Sequence, residues 1–172
     1  MIDWFLLRDD VFSDQECNQI IGTHKYNCVL DERKFYSYVD LDIDKFKYSD
    51  KINYLLNEYL KEYEDLGKTA SVWSLTSLRF KHFKPGDSFE NWHSENCLTY
   101  PNRVLGLQIY LSDHNCGTEF SAYNKTIQSV KGRAVVFPAY FTHTHRGQVC
   151  PENKDRYILT GYVSFVKKGE DE

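Results

Sequence analysis

The sequence predicts an α+β fold: two helices followed by about eight short strands closed as a jelly-roll-like barrel or sandwich. Three observations predict it. A capped segment and a long amphipathic segment fill the first part of the 172-residue chain. After Gly67, short apolar and aromatic runs alternate with turn residues. No repeat or low-complexity linker separates the two regions, so residues 1–172 read as a single domain, helical over about 1–67 and strand-rich over about 70–167.

The elements follow in order. In SDQECNQII, Ser13 and Glu16 have the spacing of a reciprocal capping box, which predicts a helix from about Asp14 to His24. Tyr26–Leu41 mixes charge with aromatics and reads as a loop or short strand. In KYSDKINYLLNEYLKEYEDLG, Ile52, Leu55, Leu56, Tyr59, Leu60 and Tyr63 share one helical face, with Ser49 placed to cap the start and Gly67 to end it. The strand candidates are Ser71–Phe83, Glu90–His93, Arg103–Leu111, Thr118–Tyr123, Thr126–Ser129, Ala134–Phe137, Thr142–Gly147 and Arg156–Val166. Turn residues separate them at 84–87, 113–117, Lys131-Gly132 and 151–155.

Bulk properties narrow the function. The 13 Tyr and 11 Phe argue against disorder. A net charge of −4 weighs against a nucleic-acid backbone as the main partner. The start, MIDWFLLRDD, lacks the basic region and cleavage site of a signal peptide, and no apolar run reaches membrane-spanning length. Cys17, Cys28, Cys97, Cys116 and Cys150 are an odd, scattered set without CxxC spacing. They read as free thiols in a reducing compartment, which argues against a cysteine-zinc site and for a cytoplasmic location.

Two of the histidine positions stand out. In NWHSEN, His93 and Glu95 are two residues apart, so an extended chain would aim both at one point. In FTHTHRG, His143 and His145 have the same relation. One further imidazole beside the His93–Glu95 pair gives a facial set of two histidines and one carboxylate, which suits non-haem Fe(II) and leaves positions for a bidentate cosubstrate and O2. Taken alone, each pair is as well explained by solvated strand residues. His24, His82 and His114 read as surface or core-edge residues.

From Phe80 to Val166 the chain resembles the prolyl-4-hydroxylase-like branch of the Fe(II)/2-oxoglutarate oxygenases. RFKHFKPGDSFENWHSE resembles the approach to that family's first ligand motif. RVLGLQIYLSDHNCGTEF resembles its strand–turn–strand, ending in Gly117, Glu119 and Phe120. KGRAVVFPAYFTHTHRG resembles its glycine turn and distal histidine, and RYILTGYVSF its last strand, which opens on a basic residue. The resemblance implies a double-stranded β-helix core, jelly-roll or cupin-like, with supporting N-terminal helices.

It also implies His93, Glu95 and His145 as the Fe(II) ligands and catalytic residues. His145 is preferred to His143 because Arg156 then falls at the family's spacing after the distal ligand. Arg156 would hold the far carboxylate of 2-oxoglutarate. Thr160, on the same side of the strand, would donate a hydrogen bond, and Tyr110 is a further candidate for that pocket. The implied cofactors are Fe(II), 2-oxoglutarate as cosubstrate, and ascorbate. The implied partners are O2 and a peptide, protein or small-molecule substrate, with prolyl residues as the family's precedent. No membrane partner is expected.

The sequence departs from the family at Glu95, where aspartate is usual, although WHSE resembles a subgroup that reads WHxE. Tyr162 stands where a tryptophan is frequent, and Cys116-Gly117 where a glycine pair is frequent. Two alternatives stay open. One is a cupin-type metalloprotein that uses His143 and His145 without 2-oxoglutarate. The other is a non-catalytic binding domain on the same fold. Tyr26–Leu41 and Glu95–Asn102 are the expected rims of a substrate site.

Overall fold

The structure, a computed structural model, describes residues 1–69 and 71–167. Position 70 and positions 168–172 of the expected single domain lie outside the described residues. The strands are β1 (Leu6–Arg8), β2 (Val29–Leu30), β3 (Tyr38–Asp40), β4 (Val72–Phe83), β5 (Arg103–Tyr110), β6 (Gly117–Phe120), β7 (Lys125–Gln128), β8 (Ala134–Pro138), β9 (His145–Gly147) and β10 (Arg156–Val166). The helices are α1 (Asp14–His24) and α2 (Ser49–Glu62). A seven-stranded antiparallel sheet runs in the order β1-β8-β5-β10-β4-β3-β2, and a three-stranded sheet in the order β7-β6-β9. This is the expected α+β jelly roll.

Helix α1 begins and ends where its capping box predicts. Ser13 Oγ accepts from the Glu16 amide at 3.2 Å, and the Glu16 carboxylate accepts from the Ser13 amide at 2.7 Å. In α2, Ile52, Leu55, Leu56 and Tyr59 are buried as the periodicity requires. Ser49, however, is the first helical residue rather than the cap. Tyr48 holds the cap position without a side-chain bond, and the helix ends at Glu62, short of Gly67.

Strand β10 is buried from Arg156 to Val163 because both its faces are covered. Leu159 and Val163 join the core beneath the helices with Ile52, Leu55, Phe80, Leu107 and Ile109. Ile158, on the opposite face, joins Phe83, Tyr110, Val135 and Phe137 against Phe120 and Ile127 of the small sheet. Each of these side chains contributes about 1.5–3 kcal/mol on burial. At Gly132 (φ +83) a Cβ would lie 2.3 Å from the Phe12 carbonyl, so the turn into β8 accepts only glycine.

Several expectations need correction. Glu90–His93 forms no strand, and only His93 makes an isolated bridge, to His145. Thr142–His143 belongs to a 3-10 turn over Phe141–His143 rather than to a strand. Cys116 and Cys150 are joined as a disulfide, so the free thiols are Cys17, Cys28 and Cys97. His24, His82 and His114 are buried rather than peripheral. His24 bonds Asp40 at 2.9 Å and His82 bonds Asp155 at 2.8 Å. Among the described residues no helix is long and apolar enough to cross a membrane.

Candidate metal and cosubstrate site

Backbone pairing brings the two histidines together. His145 opens β9 opposite Phe120 of β6, and on its other side exchanges both backbone bonds with His93, at 3.0 and 2.9 Å. Their ring centroids are 4.3 Å apart. His93 Nδ1 lies 2.9 Å from the Asn91 carbonyl, and His145 Nδ1 lies 2.9 Å from the His143 carbonyl. A carbonyl only accepts, so both Nδ1 atoms carry the proton and both Nε2 lone pairs face the shared space.

Glu95 completes the set. Its Oε1 is 3.3 Å from His145 Nε2 and 3.9 Å from His93 Nε2, and one ligand atom from each residue falls within 4.8 Å of the others. Two imidazoles and one carboxylate on one side of a seat suit Fe(II). The longer glutamate is accommodated at Gly106 of β5. A Cβ there would meet the Phe137 ring at 2.8 Å and Glu95 Cγ at 3.4 Å. The other oxygen, Oε2, accepts from Arg103 Nη1 at 3.4 Å. That guanidinium lies between the rings of Tyr100 and Tyr162, 3.7 and 3.6 Å from their centroids.

The protonation states fit ligation. Burial opposes charge on Glu95, but its electropositive surroundings, the His145 ring first and then Lys81 and His93, outweigh it and hold the carboxyl at about 2. Burial, then repulsion from His145, brings His93 down to about 4, with Glu95 acting in the opposite direction. Near neutral pH, Glu95 is therefore a carboxylate and His93 a neutral imidazole.

The same cleft holds Arg156 and Thr160, together with Lys81, Gln108, Thr118 and Tyr36. Arg156 is 3 % exposed, and its guanidinium lies 4.4 Å from the Phe83 centroid. Nη2 donates to Ser88 Oγ at 3.3 Å and Nη1 to Cys116 Sγ at 3.6 Å. Burial lowers its pKa to about 10, which leaves it charged. Arg156 Nε and Thr160 Oγ1 are buried without a hydrogen-bond partner among the described residues. A buried cation without an acid beside it, in a cleft that also holds an unpartnered hydroxyl, is the environment that a bound carboxylate would complete.

The structure separates the remaining candidates. Tyr110 is fully buried, and its hydroxyl donates to Thr118 Oγ1 at 2.8 Å, so it stands behind the cleft wall. His143 turns away from the ligand set, with Nε2 2.9 Å from the Asp3 carbonyl and Nδ1 3.0 Å from Thr142 Oγ1. Sequence reasoning missed Lys81, Gln108 and Thr118. Their signal was alternation: Gln108 stands two residues before Tyr110, and Lys81 two before Phe83. Of the expected rims, Tyr36 reaches the cleft and Tyr100 stacks on Arg103.

The fold is that of solved 2-oxoglutarate oxygenases with a double-stranded β-helix core. The viral collagen prolyl hydroxylase of Paramecium Bursaria Chlorella virus-1, as its 2-oxoglutarate complex, superposes with a TM-score of 0.73 at 19% identity over 95% of this chain and 97% of that one. A Pseudomonas putida prolyl-4-hydroxylase gives 0.70 at 16% identity over 97% and 94%. A Trichoplax adhaerens prolyl hydroxylase, in complex with a hypoxia inducible factor peptide fragment, gives 0.70 at 12% identity over 94% and 84%. At these identities the likeness is one of fold. No protein-family model matches the sequence, and no curated protein does.

Proposed function

We propose that the protein is an Fe(II)- and 2-oxoglutarate-dependent dioxygenase that hydroxylates a C–H bond of its substrate and releases succinate and CO2. The observation that carries this reading is the shared cleft: the donors of His93, Glu95 and His145 converge where Arg156 Nε and Thr160 Oγ1 lie buried without partners. A carboxylate bonded at Arg156 satisfies the orphaned Nε and is held there by a buried charge, and the Thr160 hydroxyl lines the same cleft.

His93 and His145 present their Nε2 atoms, with each Nδ1 held by a backbone carbonyl. Glu95 offers Oε1 to the metal, while Arg103 holds Oε2 and so sets the plane of the carboxylate. Phe83, under the Arg156 guanidinium, and Phe89 supply apolar walls among the polar groups of the cleft. Fe(II) and 2-oxoglutarate, when bound, supply the oxidising power for hydroxylation by O2. The chain's own contribution is to hold, orient and shield them.

The favoured substrate is a peptide carrying a prolyl residue. The fold neighbours described as prolyl hydroxylases support this, as does the complex of one of them with a peptide. The domain is read as a single unit acting in the cytoplasm.

The test is succinate formation from 2-oxoglutarate with Fe(II), ascorbate and O2, compared between the wild type and Glu95→Gln. Turnover in the wild type and none in the variant is expected. Equal background in both would refute an oxygenase. Mass spectrometry of proline-rich peptides against free proline then assigns the substrate by the gain of one oxygen.

A further inference from the structure

A second cluster of metal-ligating side chains lies on the far side of Arg156. The β5–β6 connection carries His114 and reaches Cys116, and the β9–β10 connection carries Cys150 and Glu152. The sequence pattern is His-x-Cys followed by Cys-x-Glu, which a search for CxxC spacing passes over. The fold joins the two halves. Cys116 and Cys150 are bonded, with Cα atoms 5.0 Å apart. His114, Cys150 and Glu152 each place one ligand atom within 4.8 Å of the others, and Cys116 joins this group only through its bond to Cys150.

The His114 side chain is fully buried. Its Nε2 lies 3.1 Å from both Ser112 Oγ and the Asp155 carbonyl. The carbonyl can only accept, so Nε2 carries the proton and Nδ1 presents a lone pair. Nδ1 faces Glu152 Oε2 across 3.9 Å, and neither atom has a hydrogen-bond partner among the described residues. Two acceptors facing each other in a buried place repel, and the separation is too long for a hydrogen bond. A cation between them removes the conflict. The Asp155 carbonyl behind His114 is the kind of support that orients a metal-bound imidazole.

We propose that His114, Cys116, Cys150 and Glu152 form a second metal site, a thiolate-rich seat for Zn2+ that is interchangeable with the Cys116–Cys150 disulfide. One imidazole, one carboxylate and two thiolates make a closed tetrahedral set for this ion, with bonds of about 2.0–2.3 Å. The side chains must draw in to reach such bonds, and Cys116, outside the 4.8 Å group, must swing in once the disulfide opens.

The chemistry balances in both directions. A dithiol reductant gives the disulfide two electrons and two protons, the S–S bond breaks, and two thiols form. Zn2+ then displaces the two thiol protons and binds the thiolates. In reverse, a peroxide takes two electrons from the thiolates. The S–S bond re-forms, two protons complete two waters, and Zn2+ leaves. In either state the loop that leads into Arg156 is tied to the start of β6, by the Cys116–Cys150 bond or by the shared ion, and Cys116 Sγ lies 3.6 Å from Arg156 Nη1.

The experiment uses the whole chain, freed of metal, reduced under argon and titrated with Co2+ as a spectroscopic probe. Expected is a near-ultraviolet thiolate-to-cobalt band in the reduced protein. His114→Ala and Cys150→Ser should abolish it, and His145→Ala should retain it, which separates this seat from the one at His93 and Glu95. Peroxide should erase the band and release the ion. Glu152→Gln alters only a half-buried loop side chain and so leaves the fold intact. It should weaken Co2+ binding at least about tenfold. The proposal is overturned if the reduced wild type shows no thiolate band, if His145→Ala removes it, if the band survives both His114→Ala and Glu152→Gln at unchanged affinity, or if peroxide leaves the ion bound.

Discussion

Replacing Arg156 by methionine should change affinity and stability in opposite directions. Arg156 is 3 % exposed, its guanidinium rests on Phe83, and among the described residues it has only Ser88 Oγ and Cys116 Sγ within bonding distance. No carboxylate among the described residues pairs with it. A two-pronged, charge-assisted contact to a bound carboxylate is worth about 2–4 kcal/mol. Its loss should therefore weaken 2-oxoglutarate about 30- to 1,000-fold. An uncompensated buried cation, by contrast, costs folding free energy, and an apolar side chain of similar length should be neutral or stabilising by about 1–3 kcal/mol. Calorimetric titration of the metal-loaded protein under argon gives the first quantity, and urea unfolding of the metal-free protein gives the second. Metal affinity should be unchanged, since Arg156 is no ligand. The reasoning fails if 2-oxoglutarate weakens by less than about threefold. It fails equally if the variant unfolds several kcal/mol more easily, because the guanidinium would then be a structural group.

Arg103→Met removes the donor to Glu95 Oε2 and should weaken metal binding about 10- to 100-fold, read by competition with a chelator. Gly106→Ala pushes a methyl into the Phe137 ring and against Glu95, and should cost about 1–3 kcal/mol in urea unfolding. Lys81, brought down to about 8 chiefly by burial, binds fewer protons folded than unfolded between that value and its usual 10.5. Wild-type stability should therefore rise with pH across that window relative to Lys81→Met, and unfolding curves collected through it test the slope. Ser13→Ala removes the α1 cap and should cost about 1 kcal/mol in the same assay.

What the sequence revealed depended on range. The bounds of α1 and β10 could be read because a capping box and a continuous buried run are local signals. Strand β1 was missed because a three-residue edge strand means little until it pairs with β8, far along the chain. Two-residue spacing singled out His93 and Glu95, but the proposed ligand set, with His145 in it, was legible only through the family resemblance, and Glu95 converges by crossing over Gly106 rather than by lying on a regular strand. Lys81, Gln108 and Thr118 enter the cleft through cross-strand register, which spacing alone does not fix. Arg156 without the family pattern would have read as a surface cation. Burial without an acid partner gives it its meaning. The histidines read as peripheral failed for the opposite reason: Asp40 and Asp155, their partners, arrive from other segments. The cysteines looked scattered because Cys116 and Cys150, 34 residues apart, meet only through two loops that the sheets hold together.

His93, Glu95 and His145 are proposed to hold Fe(II) while Arg156 holds 2-oxoglutarate beside it. Anaerobic addition of 2-oxoglutarate to the Fe(II)-loaded protein, followed by visible absorption, tests it most directly. A metal-to-ligand charge-transfer band should appear only with both components. Glu95→Gln and His145→Ala should abolish it, and Arg156→Met should shift it to much higher 2-oxoglutarate. Absence of the band in the wild type, or its persistence in His145→Ala, would contradict the claim.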